Sequence, residues 1–219
     1  MSALGRPRLH LREIDSTNRR ARELAAEGAP HGTLVTAGAQ TAGRGRQGRR
    51  WDAPAGSALL CSLVLRDFDA LLSLRAGLAV ADVAGEPARV KWPNDVLVDG
   101  RKVAGVLVEG RPHDGWAVVG IGVNVAAAPE GVPGAGTLGR ADVEEVLAEL
   151  LSALETRLGE PAAATLSALR ERDALLDAPL SWDGGAGVGA GIEADGGLRV
   201  RTADGGVTVL SAGEVHLSR

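Results

Sequence analysis

Gly43-Arg44-Gly45-Arg46-Gln47-Gly48-Arg49-Arg50-Trp51 puts three glycines and four arginines into nine residues. Its first six residues satisfy G-x-G-x-x-G, the fingerprint of dinucleotide folds, which requires a helix to begin inside it. Here the chain runs on into Arg49-Arg50-Trp51-Asp52-Ala53-Pro54-Ala55-Gly56, which cannot sustain a long helix, so that fold is set aside. What remains is a loop rich in glycine and arginine. Glycine lets backbone N–H groups come close to a ligand. Arginine presents planar, paired donors to carboxylate or phosphate. The loop therefore suits an anion over which it closes; the plainer alternative is a solvated basic loop. A connection this long without structure of its own is more often functional than not.

A second segment, Lys91-Trp92-Pro93-Asn94-Asp95, lies about forty residues on and is expected to face the first. Pro93 fixes its own φ and biases Trp92 towards extended geometry, so the segment reads as a platform. Val96 to Val98, Asp99-Gly100 and Arg101 to Val108 then predict a β-hairpin, with Lys102 just past the turn. Gly105 inside a strand hints at a close neighbour. Trp116 to Val125 predicts another strand, in which Gly120 and Gly122 leave one face without side chains. That bare face is either tight sheet packing or a floor for a flat ligand.

Outward from these, Leu9 to Ile14 alternates as a strand does. Asp15-Ser16-Thr17-Asn18 offers N-cap residues for a helix to Ala26. Capping alone would explain them, although a helix N-terminus also attracts anions. Thr33 to Ala37 predicts a strand, and the apolar run Ser57 to Leu65 a strand buried on both faces. Helices are expected over Asp69 to Val83, Asp142 to Leu158 and Ala163 to Leu176. After Pro179 short strands (Leu180 to Trp182, Val188 to Ala194, Leu198 to Arg201, Val207 to Leu210) alternate with Gly-rich turns, which predicts a small all-β module. The expected division is 1–177 for a catalytic domain and 178–219 for the module, which at ~40 residues must pack on its neighbour to be stable.

Composition narrows the function. The chain has 219 residues, 45% hydrophobic and 24% charged, as in ordinary globular proteins. A net charge of −4 argues against a general nucleic-acid role; the positive charge is local. The single cysteine, Cys61, excludes an internal disulfide, fits a reducing compartment and reads as a buried structural thiol. No Cys/His grouping has metal spacing, so no protein-built metal site is expected. Met1 to Pro7 lacks the apolar stretch of a signal peptide, and no run reaches the ~18 apolar residues of a membrane span. A cytoplasmic location is expected.

Taken together and in order, Ser16-Thr17-Asn18, Gln40, Gly43 to Arg46 with Trp51, Lys91 to Asp95, Arg101 to Gly105 and Gly120 to Asn124 resemble the bacterial biotin–protein ligases. The resemblance covers roughly residues 10 to 125, and the β module is similar to that family's SH3-like C-terminal domain. It implies an α/β (α+β) fold with a mixed, largely antiparallel sheet backed by helices, like a class II aminoacyl-tRNA synthetase. It also implies a two-step reaction. The carboxylate of biotin attacks the α-phosphate of Mg2+-ATP to give biotinyl-5′-AMP and pyrophosphate; a lysine of a biotin carboxyl carrier protein domain then takes the acyl group. On this resemblance Lys102, Arg46 and Arg44 are catalytic. Ser16, Thr17, Asn18, Gln40, Gly43, Arg44, Lys102 and Gly105 bind biotin. Arg46, Trp51, Lys91, Asn94, Gly120, Gly122 and Asn124 bind the nucleotide. With about eight residues ahead of the first strand, the helix-turn-helix of some members is not expected; a homodimer stays open. Gln47 stands where a further basic residue is common, and the segments 69–91 and 126–139 look short.

Three other readings compete. A lipoate–protein ligase shares the fold and reaction type but not this loop and platform together. A non-catalytic biotin-binding regulator would need a DNA-binding module and could dispense with Lys102 and Asn94. A nucleic-acid-binding module would call for interleaved aromatics, which are missing.

Overall fold

The structure, a computed structural model, describes residues 4–217. Met1 to Ala3, the start of the segment read against a signal peptide, lie outside the described residues. In chain order the elements of the larger part are β1 (Arg8–Leu11), α1 (Thr17–Ala26), β2 (Leu34–Ala37), β3 (Ala58–Leu65), α2 (Leu72–Ala84), β4 (Arg89–Lys91), β5 (Asp95–Val98), β6 (Arg101–Arg111), β7 (Trp116–Asn124), α3 (Val143–Gly159) and α4 (Ala162–Arg172). Then come β8 (Pro179–Trp182), β9 (Gly185–Ile192), β10 (Leu198–Arg201), β11 (Val207–Leu210) and β12 (Val215–Leu217). The first seven strands make one sheet in the order β1-β2-β3-β7-β6-β5-β4, parallel only between β1 and β2. The last five make an antiparallel sheet in the order β11-β10-β9-β8-β12.

The apolar run of β3 is buried at every position, as a central strand covered on both faces must be. Strand alternation then sorts the two layers. Leu59, Leu63, Val119, Ile121 and Val123 face α2 and α3 in the main core, whereas Val64 and Val118 face Ala21 and Ala25 of α1. Cys61 falls with the main core and is buried, which pushes its thiol up to about 12. Asp142 caps α3, accepting from the N–H groups of Glu144 and Glu145 at 2.9 and 3.1 Å. Asp99 and Gly100 turn the β5–β6 hairpin with φ of 50° and 72°, the left-handed pair a two-residue turn needs.

Several boundaries differ from the sequence reading, each for a local reason. β1 ends at Leu11, and Ile14 pairs again only singly, with Gln40. α2 begins at Leu72, because the Asp69 carboxylate accepts from Leu71 N–H (2.9 Å) and grips the buried Arg75 (2.9 Å) instead of entering the helix. α4 ends at Arg172: Asp173 accepts from Leu175 N–H (2.8 Å) and Ala174 N–H turns to the Val90 carbonyl (3.0 Å). β9 begins at Gly185, earlier than expected. β12 has no counterpart in the sequence reading, being three residues that gain strand geometry only by pairing with β8. The arginine loop is not structureless. Gly45 N–H to Arg49 O (2.8 Å), Trp51 N–H to Gly43 O (3.1 Å) and a 3-10 turn over Arg46–Gly48 fold it into a narrow hairpin.

The C-terminal sheet shares the main core. Leu180, Leu198, Val200 and Val215 are continuous with the residues of α2 and α3. The buried Trp92 ties the two parts together, its Nε1–H donating to the Gly196 carbonyl at 2.9 Å. Trp92→Phe removes that donor and part of the buried ring. Guanidinium unfolding is expected to show a loss of about 1–3 kcal/mol with an unchanged m-value; an unaltered midpoint would mean the bond contributes nothing to docking.

Candidate active site

On the α1 face of the sheet the strand register lines up three glycines. Gly105 pairs with Gly122, and Gly120 pairs with Ser62 on one side and Leu107 on the other. A side chain at Gly120 would run into Asn18 Oδ1, and one at Gly122 would come within 2.5 Å of Trp51 Cε2. The bare floor read from the sequence is therefore real, but the flat group lying on it is the indole of Trp51. That ring spans Gly105 and Gly122, with Lys102 Nζ 5.7 Å from its centroid. Its Nε1–H is buried without a partner, an uncommon state that leaves a donor for an incoming group.

The start of α1 closes one end of the cleft. Ser16 caps the helix, and Thr17 N–H donates to Gln40 Oε1 at 2.7 Å. Behind them the Ser62 hydroxyl lies 2.9 Å from Thr17 Oγ1 and 2.7 Å from Asn18 Oδ1. Gln40 arrives from β2, next to Gly43, where a side chain would press on the Gln40 amide and the Trp51 carbonyl.

The other end is cationic. Lys102 Nζ is 2.7 Å from Asp95 Oδ1, Arg44 is 3.1 Å from Glu109 Oε1, and Arg49 pairs with Glu214. Arg46 donates to the Gly213 carbonyl at 3.2 Å, so the C-terminal sheet supplies part of the wall. Burial, aided by Arg49 and opposed by Asp95, holds Arg46 below the usual guanidinium pKa. Lys91 is likewise lowered, first by burial and then by Lys102 and Arg49, against the pull of Asp95. Asn94 donates to the Val106 carbonyl (2.9 Å), which fixes the platform to β6. The cleft is partly open to solvent. A group laid on the glycine floor must displace the Trp51 indole, whose ring already lies against Gly105 and Gly122.

All but two of the residues singled out from the sequence line this cleft. Gly43 and Asn124 do not. Gly43 makes room for its neighbours. Asn124, although on the same strand face as Gly122, donates to the Gly136 carbonyl (2.9 Å) and holds the 126–139 connection. Sequence reasoning gave no role to Asp95, Glu109, Ser62, Gly213 or Glu214. Period-two alternation along β6 puts Glu109 on the face of Gly105 and Leu107, a signal that could have found it. Nothing local marks Glu214, which reaches the site by folding.

Residues 11–125 match the model of the biotin/lipoate A/B protein ligase family. The chain belongs to that family. Among its relatives, the bifunctional ligase/repressor BirA of Bacillus subtilis is 40% identical over 132 residues, 55% of this chain and 41% of that one. The biotin–[acetyl-CoA-carboxylase] ligase of Mycobacterium tuberculosis is 41% identical over 167 residues, 67% of this chain and 62% of that one. The chain thus spans about two fifths to three fifths of these relatives. The biotin protein ligase from Aquifex aeolicus, solved with biotin and ATP, superposes with a TM-score of 0.80 at 28% identity, covering 98% of this chain and 99% of that one.

The chain's two lysines, Lys91 and Lys102, both line the cleft. An amine-acylating reagent such as an acetyl N-hydroxysuccinimide ester therefore reports on the site. Peptide mass spectrometry is expected to show Lys91 modified faster, since its lowered pKa leaves more neutral amine while Lys102 is held by Asp95. Preferential labelling of Lys102 would contradict this electrostatic picture.

Proposed function

We propose that this chain is an ATP-dependent biotin–protein ligase, which forms biotinyl-5′-AMP with release of pyrophosphate and then passes biotin to a lysine of a biotin carboxyl carrier protein domain. The observation that carries this reading is a single cleft with a neutral, polar hydrogen-bonding end at Ser16, Thr17 and Gln40, and a cationic end at Arg44, Arg46, Lys91 and Lys102. A ligand with a cyclic urea at one end and a carboxylate at the other fits that polarity. Likeness to the Aquifex protein supports the same reading.

In the first step a biotin carboxylate oxygen attacks the α-phosphorus of ATP, and the bond to pyrophosphate breaks. Two anions must meet; at ~4 Å the repulsion is about 4 kcal/mol per pair of unit charges at an effective dielectric of 20. Lys102 and Arg44 stand where the carboxylate and α-phosphate would lie, and Arg46 closes over them, offsetting that repulsion and stabilising charge that develops in the transition state. Asn94, Trp51, Gly120 and Gly122 border the nucleotide side, with Lys91 a further cation there. Gly105 lets the ligand lie flat, and Asn18, Gly43 and Asn124 hold their neighbours in place. In the second step the acceptor amine attacks the acyl carbon, the C–O bond to phosphate breaks and AMP leaves. The closed hairpin keeps water from the anhydride meanwhile.

Mg2+ enters as the companion of the ATP phosphates. The carboxylates in and beside the cleft, Asp95, Glu109 and Glu214, are all engaged by cations, and no cluster of three or more acidic, His or Cys ligands exists among the described residues. We assign residues 1–177 to the catalytic domain and 178–219 to an SH3-like module whose Gly213 and Glu214 steady the hairpin. No helix among the described residues is long and apolar enough to cross a membrane, and a cytoplasmic setting would supply the ATP.

Biotin-dependent exchange of labelled pyrophosphate into ATP tests the first step, with lipoate as the control acid. Exchange with biotin alone is expected; exchange with lipoate instead, or with neither, would overturn the reading. Lys102→Ala should slow adenylate formation by about a hundredfold or more, while Arg46→Gly should speed loss of the adenylate from the protein. A wild-type rate in the lysine variant would remove Lys102 from its assigned role.

A further inference from the structure

Glu109 lies outside the cleft lining, yet three side chains, those of Asn18, Arg22 and Arg44, converge on it. Its Oε2 accepts from Asn18 Nδ2 at 2.9 Å, and its Oε1 is 3.1 Å from both Arg22 and Arg44. Asn18 Nδ2 also donates to the Leu107 carbonyl at 3.2 Å. Both partners of that nitrogen accept only, so the Asn18 amide has one orientation, with Oδ1 turned to Ser62. A hydroxyl has one proton, and at 2.7 Å from Asn18 Oδ1 the proton of Ser62 must point there. Ser62 Oγ is then an acceptor, and at 2.9 Å the proton it takes is that of Thr17. Three O···O contacts share two hydroxyl protons, and the longest of them, Thr17 Oγ1 to Gln40 Oε1 at 3.1 Å, is the one left without a proton, that amide oxygen keeping Thr17 N–H at 2.7 Å. The arrangement that serves the two shorter contacts runs one way: Thr17 donates to Ser62, Ser62 to Asn18, and Asn18 to the Glu109 carboxylate.

The consequence falls on Thr17. With its proton drawn inward, its Oγ1 presents lone pairs to the cleft. Thr17, Asn18 and Ser62 are all buried, so water offers little competition for that arrangement. Gly120 is part of the device, because any side chain there would strike Asn18 Oδ1.

We propose that Glu109 is a positioning residue that sets the polarity of the acid-recognition end through Asn18, Ser62 and Thr17, so that this end selects a ring bearing N–H donors. This rests on the biotin reading and deepens it. A cyclic urea supplies N–H groups to Thr17, whereas a dithiolane, as in lipoate, supplies none and leaves the inward-pulled hydroxyl unanswered. The same carboxylate holds Arg44, so the polar end and the arginine hairpin share one anchor.

The test is a swap. Glu109→Gln weakens the pull on Asn18, and Asn18→Asp sets two carboxylates against each other. Together they move the carboxylate one link along: the one introduced at position 18 accepts from Ser62 and from the amide introduced at position 109, and the direction of the relay is restored. In the exchange assay Ser62→Ala, which breaks the middle link without touching Arg44, should raise the KM for biotin about tenfold and leave the KM for ATP within about twofold. Each charged single variant should raise the KM for biotin at least as much, and the pair should recover part of that loss, since a carboxylate at position 18 no longer donates to the Leu107 carbonyl. Thermal unfolding by circular dichroism confirms that each variant is folded, and Ser62→Ala serves where a charged variant does not fold. Equal shifts in both KM values for Ser62→Ala, or a double variant worse than either single one, would overturn the relay. Failure of the wild-type protein to exchange with biotin would instead sink the ligase reading itself.

Discussion

Six cations, Arg44, Arg46, Arg49, Arg50, Lys91 and Lys102, line one cleft, and their mutual repulsion is the constraint that the rest of the site answers. Solvent supplies part of the answer, since Arg44, Arg49 and Arg50 are exposed, and fixed acceptors from distant parts of the chain supply the rest. Asp95 on β5 faces Lys102, Glu109 on β6 faces Arg44, Glu214 beside β12 faces Arg49, and the Gly213 carbonyl receives Arg46. Lys91 lacks such a partner among the described residues, and it is the lysine whose charge burial depresses. Exposed ion pairs contribute little to stability. What these contacts provide is position: each cation waits where an anionic ligand can take over from its resident partner.

That requirement explains why the C-terminal sheet is fused to the larger part by a common core and by Trp92. Gly213 and Glu214 can hold Arg46 and Arg49 only if their strand keeps its register against the hairpin. The shared core of Leu180, Val200 and Val215 with α2 and α3 fixes that register. A module of this size would be marginal alone. Packing it on the larger sheet therefore answers two needs at once, its own stability and the geometry of the loop.

Much of this was legible in the sequence where a signal is local. The Asp99-Gly100 turn, the uniformly apolar β3, the capping residues before α1 and the glycines of β7 each carry their structure in a few residues. The boundaries that moved did so where a side chain satisfied backbone groups in place of a helix, as at Asp69 and Asp173. The residues that escaped notice act at a distance. Glu109 and Ser62 look like ordinary strand positions until β3, β6 and β7 lie side by side, and Glu214 has no local mark at all. Asn124 shows the opposite failure: it lies in a motif, but its amide serves the backbone of the next connection.

The Trp51 indole ties these threads together. It covers Gly105 and Gly122 and keeps a buried N–H without a partner. A ligand that lies on the glycine floor must take the place of the indole, and the hairpin from Gly43 to Trp51 has to shift with it. Shifting it breaks the Arg46–Gly213, Arg49–Glu214 and Arg44–Glu109 contacts, and the ligand's own anions must replace them. The affinity for ligand is reduced by whatever the closed, self-occupied arrangement is worth, since only the opened fraction binds. The glycine floor makes the exchange feasible, because a side chain at either position would hold the indole off the sheet and leave nothing for the ligand to displace. Polarity at the Thr17 end and charge at the Lys102 end then decide which ligand can repay both losses together.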